Sequence, residues 1–171
     1  HSQDYRLSRR ASRRKIRMTS ALSLVASLIL ALSAGAIGGI ATSRSVTSWY
    51  KTLRKPSWNP PSWVFGPVWT LLYLAMGTAA WLVWRDHGFM QTASWLYLAQ
   101  LALNILWSFL FFGMRRPGAA FAEIVALWLA IAMTLLSFWS LSPLAGALMI
   151  PYLAWVSFAS FLNFTIWRLN R

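Results

Sequence analysis

Five apolar runs, each about twenty residues long and nearly free of charge, constrain this chain more than any other feature. They extend from Ser20 to Thr42, from Trp63 to Trp84, from Ala93 to Met114, from just after Pro117-Gly118 to Trp139, and from Pro143 to Trp167. A helix rises 1.5 Å per residue, so about twenty residues cross a hydrocarbon layer of ~30 Å. In lipid the backbone has to satisfy its own hydrogen bonds. The runs are too long and too continuously apolar for barrel strands, so helices are expected. The predicted fold is an all-α integral membrane protein, a bundle of five transmembrane helices formed by residues 18–171. Ser140 to Ser142 join the last two runs so tightly that they must be antiparallel neighbours.

Only 11% of residues are charged, against roughly 25% in a soluble domain. Without cysteine, disulfides, thiolate chemistry, iron–sulfur clusters and Cys-based zinc sites are excluded. The net charge of +13 would point to nucleic acid in a soluble chain. Here it marks segments beside anionic headgroups, and no nucleic acid is expected. Residues 1–17, with "RLSRRASRRKIR", have too few apolar side chains for a core and are expected to be a disordered basic tail. That tail reads as a lipid-contacting, targeting or appended segment, and Met18 as an internal start. Arg9-Arg10-Ala11-Ser12 has the form of a basic-directed phosphorylation motif. Lys/Arg counts do not settle orientation. The tail and Arg85 place eight on one side, and Arg44, Lys51, Arg54, Lys55, Arg115, Arg116, Arg168 and Arg171 place eight on the other. Setting the tail aside makes the second side cytoplasmic.

The stretch "KPSWNPPSWVFGPVWTLLY", Lys55 to Tyr73, packs three tryptophans and four prolines into nineteen residues. Prolines fix φ, remove donors and push the preceding residue out of the helical region. Lys55 to Pro61 should therefore be an ordered, extended loop, with Pro61 at a helix start. Trp58 and Trp63 suit an aromatic belt. Trp69 lies deeper, where an indole N–H needs a partner or a cavity. In the third run Gln100, Asn104 and Trp107 share a face, as do Tyr152, Trp155, Ala159 and Asn163 in the fifth. Gln100, Asn104 and Asn163 read equally as interhelical bonds, worth about 0.6 kcal/mol each, or as ligand contacts. Together these residues outline an aromatic-walled cavity with a few polar fixings. Gly35-x-x-x-Gly39 permits close helix approach, within one subunit or in a homodimer. Glu123 reads as a carboxylate at the positive end of the fourth helix. No paired acids, no nucleophile with its base and no metal cluster are evident, so no catalytic residue is assigned.

The stretches "WYKTLRKPSWNPPSWVFGPVWTLLYLAMG", "WLVWRDHGF", "QLALNILWSFLFFG" and "SPLAGALMIPYLAWVSFASFLNFTIWR" cover nearly everything after the tail. With W-x-P-P, G-P-V-W-x-x-L-Y and P-Y-L-A-W among them, the chain closely resembles the translocator proteins, also called tryptophan-rich sensory proteins or peripheral benzodiazepine receptors. The resemblance implies a five-helix bundle whose loop after the first helix caps a ligand pocket. It carries over Trp49, Tyr50 and Pro60 from the lid, Trp69 and Tyr73 from the second helix, Asn104 and Trp107 from the third, and Trp155 and Ala159 from the fifth.

It further implies tetrapyrrole ligands such as protoporphyrin IX and haem, sterols in animal members, and synthetic isoquinoline carboxamides and benzodiazepines, with no required cofactor. Light-dependent porphyrin breakdown, if it occurs, would fall to Trp69 and Trp155. His87 is a candidate axial haem ligand, with a solvated loop residue as the alternative. The sterol-recognition pattern is broken: Leu162 and Arg168 are in place, but Phe164 stands where tyrosine is required. The expected location is the mitochondrial outer membrane or a bacterial envelope membrane, or endomembranes for a plant source. Three functions follow: a tetrapyrrole-binding receptor or scavenger, a porphyrin or sterol transporter, and a slow porphyrin-degrading protein. One pocket and no inverted second half argue against ordinary alternating access.

Overall fold

The computed structural model describes residues 2–171. Helix α1 spans Ser2–Val46. A short helix, α2, spans Trp49–Thr52. Then follow α3 (Ser62–His87), α4 (Thr92–Ser108, continued by a π-helical turn over Phe109–Gly113), α5 (Pro117–Leu141) and α6 (Pro143–Leu169). Five helical segments are long and apolar enough to cross a membrane. They pack as a ring in which α1 adjoins α3, α3 adjoins α6, α6 adjoins α5, α5 adjoins α4, and α4 returns to α1. Large side chains such as Leu71, Leu136 and Phe161 face outward, as a lipid-solvated surface requires.

Local chemistry sets the ends. Pro117 and Pro143 each open a helix, where a missing N–H costs nothing. Gly88 stops α3 at φ 77°, a conformation glycine adopts without penalty. Ser142 serves two helices: its N–H donates to Phe138 O at 2.7 Å, and its Oγ accepts the Ala145 N–H at 3.4 Å. The following turn of α6 crosses close to α5, where a Cβ on Gly146 would lie 2.7 Å from Trp139. Between α1 and α3, Ser27 Oγ donates to Gly77 O at 2.7 Å, and Gly77 lets Leu28 and Ala31 approach.

Two readings change, and a third that stood open between alternatives is decided. The basic segment, expected to be disordered, is helical from Ser2 onward as part of one 45-residue helix. Extending an existing membrane helix avoids the cost of nucleation. Arg6, Arg9, Arg10, Arg13, Arg14 and Arg17 repel one another at i,i+3 and i,i+4 spacing, so continuity with the span rather than charge pairing holds the segment helical. Glu123 is not at the positive end of its helix. Pro117 is the first residue of α5, so Glu123 sits beyond the first turn, where the helix dipole no longer acts. Both its carboxylate oxygens are buried without a partner. Gly35 is used within the subunit: a Cβ there would lie 2.5 Å from the Tyr73 ring, whereas one on Gly39 would meet nothing within 4 Å.

Candidate functional site

The half of the bundle under the α1–α3 connection encloses a cavity of about 450 Å³. Its walls come from the C-terminal half of α1, the first half of α3, the end of α4 with its π turn, and the second half of α6.

Aromatic side chains dominate the walls. Trp69 stacks on Tyr73 with centroids 5.8 Å apart, and meets Trp155 edge to face at 6.5 Å. Phe65 packs on Trp155 at 6.1 Å, and Trp107 stacks on Phe111 at 5.5 Å. Phe111 and Phe112 are adjacent in sequence yet both line the cavity. The π turn broadens α4 there and lets neighbouring residues share a face.

The polar fixings form a chain behind these walls. Asn104 Nδ2 donates to Tyr152 Oη at 2.7 Å, and Tyr152 Oη donates to Gln100 Oε1 at 2.7 Å. Trp107 Nε1 donates to Asn163 Oδ1 at 2.9 Å, and Asn163 Nδ2 to Pro117 O at 2.8 Å. Gln100 is therefore committed to interhelical bonding and does not line the cavity. Asn104 and Asn163 bond between helices and line it as well. No lining residue carries a charge. The Trp155 indole N–H reaches no acceptor although its nitrogen is buried.

The lid is ordered by its own bonds. Tyr50 is buried, and its ring leans on Phe112 at 5.6 Å while its hydroxyl donates to Asn59 Oδ1 at 2.9 Å. Burial pushes this hydroxyl up to about 12, with the Asn59 bond pulling it partly back. Lys55 Nζ donates to Tyr50 O at 2.7 Å and to Leu53 O at 3.1 Å. Asn170, just past α6, accepts the Arg54 N–H and donates to Arg54 O, each at 2.9 Å. Prolines stiffen the loop, and this paired contact fastens it to α6.

The side toward α1 and α3 is less closed. Ala36, Gly39 and Ser43 on α1 and Ser62, Gly66 and Thr70 on α3 line the cavity and are also exposed on the outer surface. A Cβ on Gly39 or on Gly66 would meet nothing within 4 Å, so small residues keep a slot open between the two helices.

Of the residues singled out from sequence, Tyr50, Trp69, Tyr73, Asn104, Trp107, Trp155 and Ala159 surround this one cavity. Trp49 stands behind it against Phe111 at 5.7 Å, and Pro60 shapes the lid without lining the space. His87 is at the other end of α3, with Nε2 donating to Leu141 O at 3.0 Å. Some fourteen residues separate it from Tyr73, about 21 Å along the helix, so it cannot reach a group bound in the cavity. The sterol-pattern residues divide: Leu162 lines the cavity, Phe164 packs outside on Phe121 at 5.0 Å, and Arg168 is exposed. Sequence reasoning missed Phe65, Phe111, Phe112, Phe158 and Gly66, and read Gly39 only as a helix-contact position. Only the juxtaposed Phe111-Phe112 pair before a charged turn offered a signal.

A multi-pass membrane bundle with a lidded, aromatic, uncharged internal cavity is thus the class of protein that this fold and site define. A model of the TspO/MBR family matches residues 26–168. The tryptophan-rich protein TspO of Chlorobaculum tepidum is 46% identical over 153 residues, covering 87% of this chain and 96% of that protein. The human translocator protein is 47% identical over 126 residues, 71% of this chain and 75% of its own. The tryptophan-rich sensory protein of Cereibacter sphaeroides is 47% identical over 122 residues, 71% and 77% respectively. The chain belongs to the TspO/MBR family.

Proposed function

We propose that this protein is a membrane receptor that binds tetrapyrroles, protoporphyrin IX and haem among them, in the cavity beneath the Pro/Trp lid. The observation that carries this reading is the wall of Trp69, Trp107 and Trp155 around a space of about 450 Å³. That volume falls within the ~300–1,000 Å³ typical of sites for compact organic ligands, and flat aromatic walls suit a flat macrocycle. Residues 44–62 hold Arg44, Lys51, Arg54 and Lys55 and no acid, so the lid side of the site attracts carboxylates carried by an apolar body. The slot between α1 and α3 gives such a ligand a way in from the bilayer while the lid stays shut.

A binding role is preferred to transport or degradation because the cavity has one lid, firmly tied, and no acid–base pair in its lining. The test is a titration of protoporphyrin IX, haem and cholesterol against the protein in a single detergent. Saturable binding of both tetrapyrroles at a single site, with cholesterol much weaker, is expected. Failure of either tetrapyrrole to saturate would overturn the reading. Porphyrin flux across proteoliposomes, or multiple turnovers in light, would replace it with transport or degradation.

A further inference from the structure

Helix α1 starts far outside the apolar span. Residues 2–19 are exposed along their whole length, so no packing explains their side chains. Their arrangement is nevertheless one-sided. At about 100° per residue, Arg6, Arg9, Arg10, Arg13, Arg14 and Arg17 fall within an arc of about 140°. Tyr5 and Ile16 border that arc on one edge, Leu7 and Met18 on the other, and these four are 58%, 65%, 63% and 57% exposed. The far face collects Asp4, Ser8, Ala11, Ser12 and Lys15. The edge side chains point about 90–110° from the centre of the stripe, and Arg9 already lies over the Tyr5 ring at 4.7 Å, so with the arginines turned to a membrane the four apolar groups lie sideways within its headgroup layer. There arginine stems lie along apolar surface and guanidinium groups meet phosphate. A soluble polyanion would use the arginines and leave the four apolar groups in water.

The junction between this arm and the span carries hydroxyl groups turned back on the helix. Thr19 Oγ1 donates to Lys15 O at 2.9 Å, and Ser23 Oγ to Ser20 O at 2.8 Å. Such back-bonding slightly destabilises a helix and often bends it; the same bonds at Thr134, Ser157 and Ser160 sit in packed spans, whereas Thr19 and Ser23 are exposed. Arg17 is about 4.5 Å along the axis from Ser20, where the apolar span begins, so the stripe starts within the headgroup layer.

We infer that residues 2–17 form an interfacial arm that bends at Thr19–Ser23 and lies on the leaflet from which α1 enters. The arginine stripe is a binding site for anionic phospholipid headgroups. The site belongs to a face of a helix: the same charges in another register do not make it.

The chain has no cysteine, so Ser2→Cys gives a single label at the tip of the arm. The labelled full-length protein is placed in nanodiscs of phosphatidylcholine alone, or with roughly a third phosphatidylserine. Energy transfer to a headgroup acceptor reads the height of the tip. An upright helix holds it about 27 Å beyond Ser20. On the anionic disc the tip should drop to about 10 Å, the depth scale of an interfacial helix. About 1 M salt, which cuts the Debye length to about 3 Å, should return it to the phosphatidylcholine value. A register variant of unchanged composition (Ser8→Arg, Arg9→Ser, Arg10→Ala, Ala11→Arg, Ser12→Arg, Arg13→Ser) should stay upright, with porphyrin titration confirming that its bundle is intact. Equal transfer on the two discs would overturn the inference. So would a register variant that descends as far as the wild type, since that would mean charge alone acts, without a helical face.

Discussion

Gly35 and Gly39 stand one helical turn apart on α1, and substituting each with alanine separates two roles that the spacing alone leaves joined. A methyl group on Gly35 would lie 2.5 Å from Tyr73 Cε2 and 2.7 Å from Cδ2. Carbon atoms in contact settle near 3.5–4.0 Å, so either the Tyr73 ring or the helix must move by about an ångström. Overpacking of this kind costs about 1–3 kcal/mol. The helix-propensity gain from glycine to alanine, at most about 1 kcal/mol, applies to both positions and cancels in the comparison. Gly35→Ala should therefore be about 1–3 kcal/mol less stable than Gly39→Ala, which meets nothing within 4 Å. Because Tyr73 lines the cavity, the displaced ring should also weaken porphyrin binding. Unfolding titrations followed by helical circular dichroism give the first quantity, and ligand titration of the same samples gives the second. If the two variants match in stability and affinity, Tyr73 does not rest on Gly35 and the wall built on that contact is misplaced.

Ala159→Thr adds a hydroxyl and a methyl group to the cavity wall. It should weaken porphyrin and isoquinoline-carboxamide binding with the five-helix fold retained, and unchanged affinity for both would remove Ala159 from the wall. Asn170→Ala removes both bonds between the lid and α6, each worth about 0.5–1.5 kcal/mol net. Freeing the lid opens a second exit beside the slot, so ligand dissociation measured by stopped flow should accelerate several-fold while helical content is unchanged. Tyr50 gives a pH signature. Its folded value is raised from 10.0 to about 12, so the folded protein holds the proton more tightly than the unfolded chain, and stability falls as pH rises from about 10 to about 12. Tyr50→Phe should lose less stability across that interval than the wild type, and parallel curves would show that the hydroxyl is not buried. Gly66→Leu places a side chain in the open slot, so it should slow porphyrin association with little change in stability.

Much of this architecture could be read from residues alone because lipid leaves few choices. An uninterrupted apolar run of membrane-spanning length has to be helical, and the turns are announced by Pro117, Ser142 with Pro143, and Gly88. Cavity positions such as Asn104, Trp155 and Ala159 followed from helical spacing and from the resemblance. Other parts were hidden for definite reasons. With Phe and Trp abundant throughout, nothing in composition separates Phe65 or Phe158, on the wall, from Phe161 on the lipid face. The contact of Asn170 with Arg54 joins positions 116 apart, beyond any local pattern. The arm's helicity was hidden because low hydrophobicity and like charges at helical spacing both disfavour an isolated helix, and only continuity with the first span supplies one. Glu123 was misplaced by a shift in where its helix begins.

The central claim is that tryptophans wall the site of a tetrapyrrole. Its most direct test is the affinity of protoporphyrin IX for the wild type and for the triple variant Trp69→Phe, Trp107→Phe, Trp155→Phe, read from the porphyrin's own absorbance so that the lost tryptophans do not affect the signal. The wild type should bind saturably at one site. The triple variant, shown by circular dichroism to be folded, should bind at least about tenfold more weakly, the equivalent of about 1.4 kcal/mol. Equal affinity in the two proteins would contradict the claim and place the porphyrin somewhere other than this cavity.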